Sequence, residues 1–143
     1  MSLNTIRQDI EERIAAEFAT APVLQVAYQN VPFTPPNNAS WIQARIVWGD
    51  SAYLTIQTTS SRGTGDGFDR RNGSLTFDIF CPRGQGPGAG LTIAQRCIDL
   101  FSRLQLENIK FDAANGPRTI EPAAPEGFSQ TQVAITFEAY EQS

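Results

Sequence analysis

Gly73-Ser74-Leu75-Thr76-Phe77-Asp78-Ile79-Phe80-Cys81-Pro82 carries the clearest periodicity in the chain. Leu75, Phe77, Ile79 and Cys81 face one way, and Thr76 and Asp78 face the other. A period of two is that of a half-buried strand. Pro82 ends it, because proline fixes φ and has no N–H to give to a sheet. The strand is followed by Arg83-Gly84-Gln85-Gly86-Pro87-Gly88-Ala89-Gly90, and then by a helix expected over about 91–104. Its apolar positions, among them Ile93, Ala94, Cys97, Phe101 and Leu104, spread widely around the helix and predict a largely buried element.

On the N-terminal side, residues 60–73 hold four glycines and almost no apolar side chain, and read as a long loop. Before it, strands are expected at about 53–59 and 41–48, separated by a turn at Gly49-Asp50. Three prolines make Val31–Asn38 irregular. A first strand is expected at 23–29, and an amphipathic helix at 4–19 with Ile6, Ile10, Ile14 and Phe18 as its stripe. Asn4 is the expected N-cap, and Pro22 closes the segment. On the C-terminal side, strands are expected around 109–111, 118–121 and 131–140. Together these elements predict one α+β domain over residues 1–143. It would have a largely antiparallel or mixed sheet of five to six strands, with two helices packed on one face.

With 143 residues the chain is long enough for one core. Only 18% of residues are charged, so Ser, Thr, Asn, Gln and Gly must cover much of the surface, which suits protein contacts. Net charge is −4, with ten Arg and the single Lys110. That balance argues against a sequence-specific nucleic-acid binder. No stretch approaches the ~20 apolar residues that span a bilayer, and no signal peptide is evident. Cys81 and Cys97 read as buried free thiols.

There is no His, which excludes the usual hydrolase triad, and the carboxylates are scattered. No catalytic residue, cofactor or metal ligand is therefore assigned, and the chain is not read as an enzyme. The Gly84–Gly90 turn lies where phosphate loops lie. It lacks the Gly-Lys-Ser/Thr of a Walker loop, and its evenly spaced glycines depart from G-x-G-x-x-G. A small nucleotide- or ligand-binding domain using this turn remains the alternative of a different class. Two segments read better as contact surfaces: the loop carrying Arg62, Asp66, Phe68, Asp69, Arg70 and Arg71, and the turn carrying Arg83, Gly84, Gly86, Gly88 and Gly90.

Taken whole, the chain resembles the bacteriophage tail-terminator proteins of long-tailed phages. The resemblance runs nearly full length. It rests on Ile6-Arg7 with Ile10-Glu11-Glu12-Arg13, on Asn30-Val31-Pro32-Phe33-Thr34-Pro35-Pro36, on the strand opening at Trp41-Ile42, and on the Gly73–Pro82 strand with its glycine-rich turn and helix. It implies a homo-oligomeric ring, typically of six subunits, that caps the tail tube, stops its polymerisation and offers a head-joining surface. The implied partners are the major tail tube protein and head–tail connector proteins. The implied location is the virion tail or neck, after assembly in the host bacterial cytoplasm. Another neck or minor tail protein is the alternative within the class.

Overall fold

The alternating strand read from the sequence is the middle of the sheet. The computed structural model describes residues 3–21, 23–36, 39–53, 68–84, 87–106, 109–120 and 128–142, the backbone alone at 50–53, 68, 69, 141 and 142. Helix α1 (Leu3–Phe18) is followed by β1 (Gln25–Tyr28), β2 (Trp41–Tyr53) and β3 (Phe68–Pro82). Then come helix α2 (Gly88–Phe101), β4 (Gln105–Leu106), β5 (Ile109–Phe111), β6 (Asn115–Ile120) and β7 (Phe128–Gln142). The seven strands form one mixed sheet in the order β1-β2-β3-β7-β5-β4, with β6 also pairing β7. Only β1 against β2 is parallel.

Both helices lie on the same face. Ile6, Ile10, Ile14 and Phe18 of α1 join Ile93, Ala94, Cys97 and Phe101 of α2 in one buried cluster. The sheet side of that cluster comes from alternate residues: Ile42, Ala44 and Ile46, then Leu75, Phe77, Ile79 and Cys81, then Val133, Ile135, Phe137 and Ala139. A strand's period of two puts the next residues on the opposite face, which no described helix covers. Where β1 ends at Tyr28, the side-chain oxygen of Gln29 takes over and accepts from the backbone N–H of Ile46 at 2.9 Å. Asn30, at φ 58, then turns the chain off the sheet edge.

Several sequence-based expectations need correction. Gly49-Asp50 does not separate two strands: β2 runs through it, and the irregularity is a bulge between Trp48 and Ser51. Of the strand expected at 53–59 only Tyr53, at the end of β2, is described, and 54–59 lie outside the described residues. The loop expected over 60–73 does not include 68–73, because β3 begins at Phe68 and its first residues pair with β2 on one side and β7 on the other; 60–67 lie outside the described residues. Helix α1 begins at Leu3, which places Asn4 inside its first turn rather than at its cap. Helix α2 covers Gly88–Phe101, so Gly88 and Gly90 open the helix instead of belonging to the turn.

Arg96 of α2 ties the two helices together. Its guanidinium donates to the Glu17 carboxylate at 3.3 Å and to the Glu17 carbonyl at 3.0 Å, and stacks 4.6 Å over Phe18. A cation at a helix C-terminus satisfies carbonyls that have no intrahelical donor. Arg96→Ala is expected to lower unfolding free energy by about 2 kcal/mol, the sum of charged hydrogen bonds and the ring contact. Arg7→Ala, which removes only an exposed i,i+4 pair with Glu11, should cost under ~0.5 kcal/mol. Chemical denaturation of both variants checks the difference.

Both thiols are free and buried. Burial pushes Cys97 up from 9.0 to about 12, with Arg96 lowering it less. A thiol harder to ionise in the folded chain than in the unfolded one stabilises fully below the unfolded value. That stabilisation is lost as pH rises from about 9 towards about 12. The expected slope is about 1.4 kcal/mol per pH unit across that interval, and Cys97→Ala should remove it. Denaturation at pH 8, 10 and 11 measures this. At pH 8 a disulfide reagent should react with neither thiol until the chain is unfolded.

Candidate functional site

Among the described residues, no group of three His, Cys, Asp or Glu gathers that could hold a metal ion. No described helix is long and apolar enough to cross a membrane.

The two segments singled out from sequence fare differently. Arg62 and Asp66 lie outside the described residues, as does Gly86. Phe68 and Asp69 open β3, where Asp69 pairs with Tyr53 and Glu141. Arg70 and Arg71 follow in the same strand, so their side chains leave on opposite faces of the sheet rather than together from a loop. Arg70 approaches Glu138 at 4.0 Å. In the turn, Arg83 donates through Nε to the Phe128 carbonyl at 3.1 Å and holds the start of β7. Gly84 is exposed at φ 91, and Gly88 is an exposed first residue of α2. Gly90 is buried, and a Cβ there would stand 3.1 Å from Thr131 Oγ1 and 3.8 Å from Cys81 Sγ. Its small size serves helix-to-sheet packing.

The helix-free face of the sheet holds a more organised set of groups. At one end Trp41 stacks on Phe80 with ring centroids 4.3 Å apart, and Phe33 and Phe128 close around the pair. Next to it lies Asp78, only 3% exposed. One of its oxygens accepts from Gln130 and Gln132, each at 3.0 Å, and the other faces the Arg45 guanidinium at 3.0 Å. The register explains the burial: Asp78 is opposite Gln43 on β2 and Gln132 on β7, and the long neighbours fold over it. A buried carboxylate needs such donors, because an unpaired one would be far too costly. Beyond β7, Arg118 of β6 donates through Nε to Gln132 at 3.0 Å, and Lys110 of β5 stands opposite Glu138. At the far end the Tyr140 hydroxyl donates to Glu138 at 2.8 Å, and this bond raises its pKa above the usual tyrosine value.

Among the described residues, four buried side-chain polar atoms have no hydrogen-bond partner: Trp41 Nε1, Arg45 Nε, Arg70 Nε and Asn72 Oδ1. All four belong to this face, by the alternation along β2 and β3. Sequence reading placed Asp78 on a strand but did not find this network. Its members come from β2, β3 and β7, and Gln130 and Gln132 lie 52 and 54 residues beyond Asp78 along the chain.

Comparison with known proteins adds a family. A family model described as phage tail terminator protein matches residues 5–137. Among solved structures, one superposes with a TM-score of 0.68 over 97% of this chain and 96% of its own, at 20% sequence identity. At that identity the likeness speaks for the fold alone. No curated protein matches.

Proposed function

The chain belongs to the phage tail terminator protein family, and from that premise we propose that it caps the end of a phage tail tube as a ring of identical copies. Its role in the tail is structural. In the proposed reading the ring stops tube polymerisation and offers the surface to which the head joins. Its partners are further copies of itself, the major tail tube protein and the head–tail connector proteins, and assembly takes place in the host bacterial cytoplasm. The family match over residues 5–137 is the observation that carries this reading.

Two features of the fold support it. The sheet leaves one whole face free of described helices and rich in hydrogen-bonding groups, as a subunit that works by contact requires. The chain also keeps hydrophobic side chains exposed at Val47 and Leu91, 54% and 49%, on different elements. The contact segments expected from sequence remain candidates in this reading, with Arg62 and Asp66 of the 60s segment and Arg83 and Gly84 of the turn as the residues to substitute. Excising 62–71 would remove the start of the central strand, so Arg62→Ala with Asp66→Ala is the cleaner test.

The assembly test uses tubes polymerised from the major tail protein of the same phage. The purified chain should bind one end of each tube, stop its elongation, and show as a ring there in negative-stain images. Tubes that elongate at an unchanged rate with the chain present would contradict the proposal.

A further inference from the structure

The helix-free face has an excess of donors, and the outer side of α1 has acceptors to spare. The Arg45 and Arg70 side chains, 40% and 37% exposed, present guanidinium donors on this face. Lys110 and Arg118 add exposed cations at its β5 and β6 side, neither in an ion pair among the described residues. A carboxylate is the acceptor that meets a guanidinium best.

On the opposite side of the molecule, Asp9 and Glu12 project from α1 into a shallow groove that also involves Arg13, Ala16 and Leu106. Arg7 is taken by Glu11 and Arg96 by Glu17. Arg13 donates to the Leu100 carbonyl at 3.1 Å and lies over the Phe101 ring. That leaves the Asp9 and Glu12 carboxylates without an ion pair among the described residues.

We propose that the helix-free sheet face of one copy receives the Asp9/Glu12 side of α1 from a second copy. The proposal rests on the homo-oligomer reading above and names the surfaces that would serve it. The contact joins two different patches, front to back, so it is heterologous. A contact of this kind adds copies in one direction and closes into a ring when the rotation per copy allows, unlike a two-fold dimer. The exposed cations Lys110 and Arg118 steer the approach, and the inner guanidiniums take the carboxylates as the surfaces close.

Two charge-reversed proteins test this: Asp9→Lys with Glu12→Lys, and Lys110→Glu with Arg118→Glu. Glu12, Lys110 and Arg118 are exposed and Asp9 is half-buried, so both proteins should keep the wild-type circular dichroism and melting curve. Sedimentation velocity, in free solution and with tube ends present, reads self-association. Each reversed protein alone should associate at least ~10-fold more weakly than wild type. An equimolar mixture should recover association, because an intact acidic side then meets an intact basic face. If wild type assembles and neither reversal weakens it, or the mixture fails to recover, this pairing is wrong while the homo-oligomer reading stands. If wild type remains monomeric in solution and on tube ends, both fall. If the main loss on reversing Lys110 and Arg118 is retention of a DNA duplex, with self-association unchanged, the face contacts nucleic acid and the proposal is overturned.

Discussion

Replacing Gly73 by valine should lower the unfolding free energy by about 3 kcal/mol, at the upper end for overpacking a buried site. Gly73 lies in β3 between Trp48 of β2 and Phe137 of β7. The Phe137 ring lies across the space a side chain would fill, and a Cβ at position 73 would meet its Cζ at 2.5 Å and Cε1 at 2.9 Å. The ring has little room to yield. It is 1% exposed, 5.6 Å from Phe111 and 5.6 Å from Trp48 by ring centroids. Gly49, nearby in the β2 bulge, gives the control. A Cβ there meets nothing closer than 3.5 Å, so Gly49→Ala should change stability by under ~1 kcal/mol. Adding Phe137→Leu to Gly73→Val should recover part of the loss, since the two residues share one space. Urea unfolding of the four proteins reads all of this.

Phe101→Ala should cost about 3–5 kcal/mol, the range for emptying a large buried aromatic site. Phe101 is fully buried at the end of α2 and links helix to sheet. Its ring is 5.9 Å from Phe77 on β3 and 5.0 Å from Phe111 on β5, and the Arg13 guanidinium lies 6.0 Å above it. Rings on two strands and a cation on α1 thus lose a neighbour together, and close-packed surroundings collapse only partly into the space. Phe101→Leu keeps most of the volume and should cost under ~2 kcal/mol. Equal losses in the two variants would show that the ring contacts matter less than the presence of any apolar group.

Local pattern carried much of this fold, and non-local pairing carried the rest. The stripe Ile6, Ile10, Ile14 and Phe18 and the alternation at Leu75–Cys81 are written in consecutive residues, and both are buried as that pattern requires. Asp69, Arg70, Arg71, Asn72 and Gly73 look like loop residues by type. They are strand residues because β7 pairs with all five and β2 with all but Asn72, which lies at the β2 bulge, and because Phe137 covers the glycine. Gly49-Asp50 carries the same dipeptide signal in a turn and in a bulge, and only the partner strand tells them apart. The polar face was the least legible part. Asp78 looks like any outward strand carboxylate until Arg45, Gln130 and Gln132 are brought around it by three strands.

Arg45 and Asp78 form an ion pair in which only the carboxylate is buried. Here the remaining donors around Asp78 are glutamine amides, which hold a carboxylate in place without moving protons. The same arrangement fixes the geometry of the polar side chains across β2, β3 and β7.

Tail length in the phage itself tests the central claim most directly. With the gene for this chain deleted, electron micrographs of lysates should show tail tubes of unregulated, excessive length and heads without joined tails. Supplying the chain in trans should restore one length and head joining. Tails of normal, uniform length joined to heads in the deletion would contradict the assignment as the protein that ends the tube.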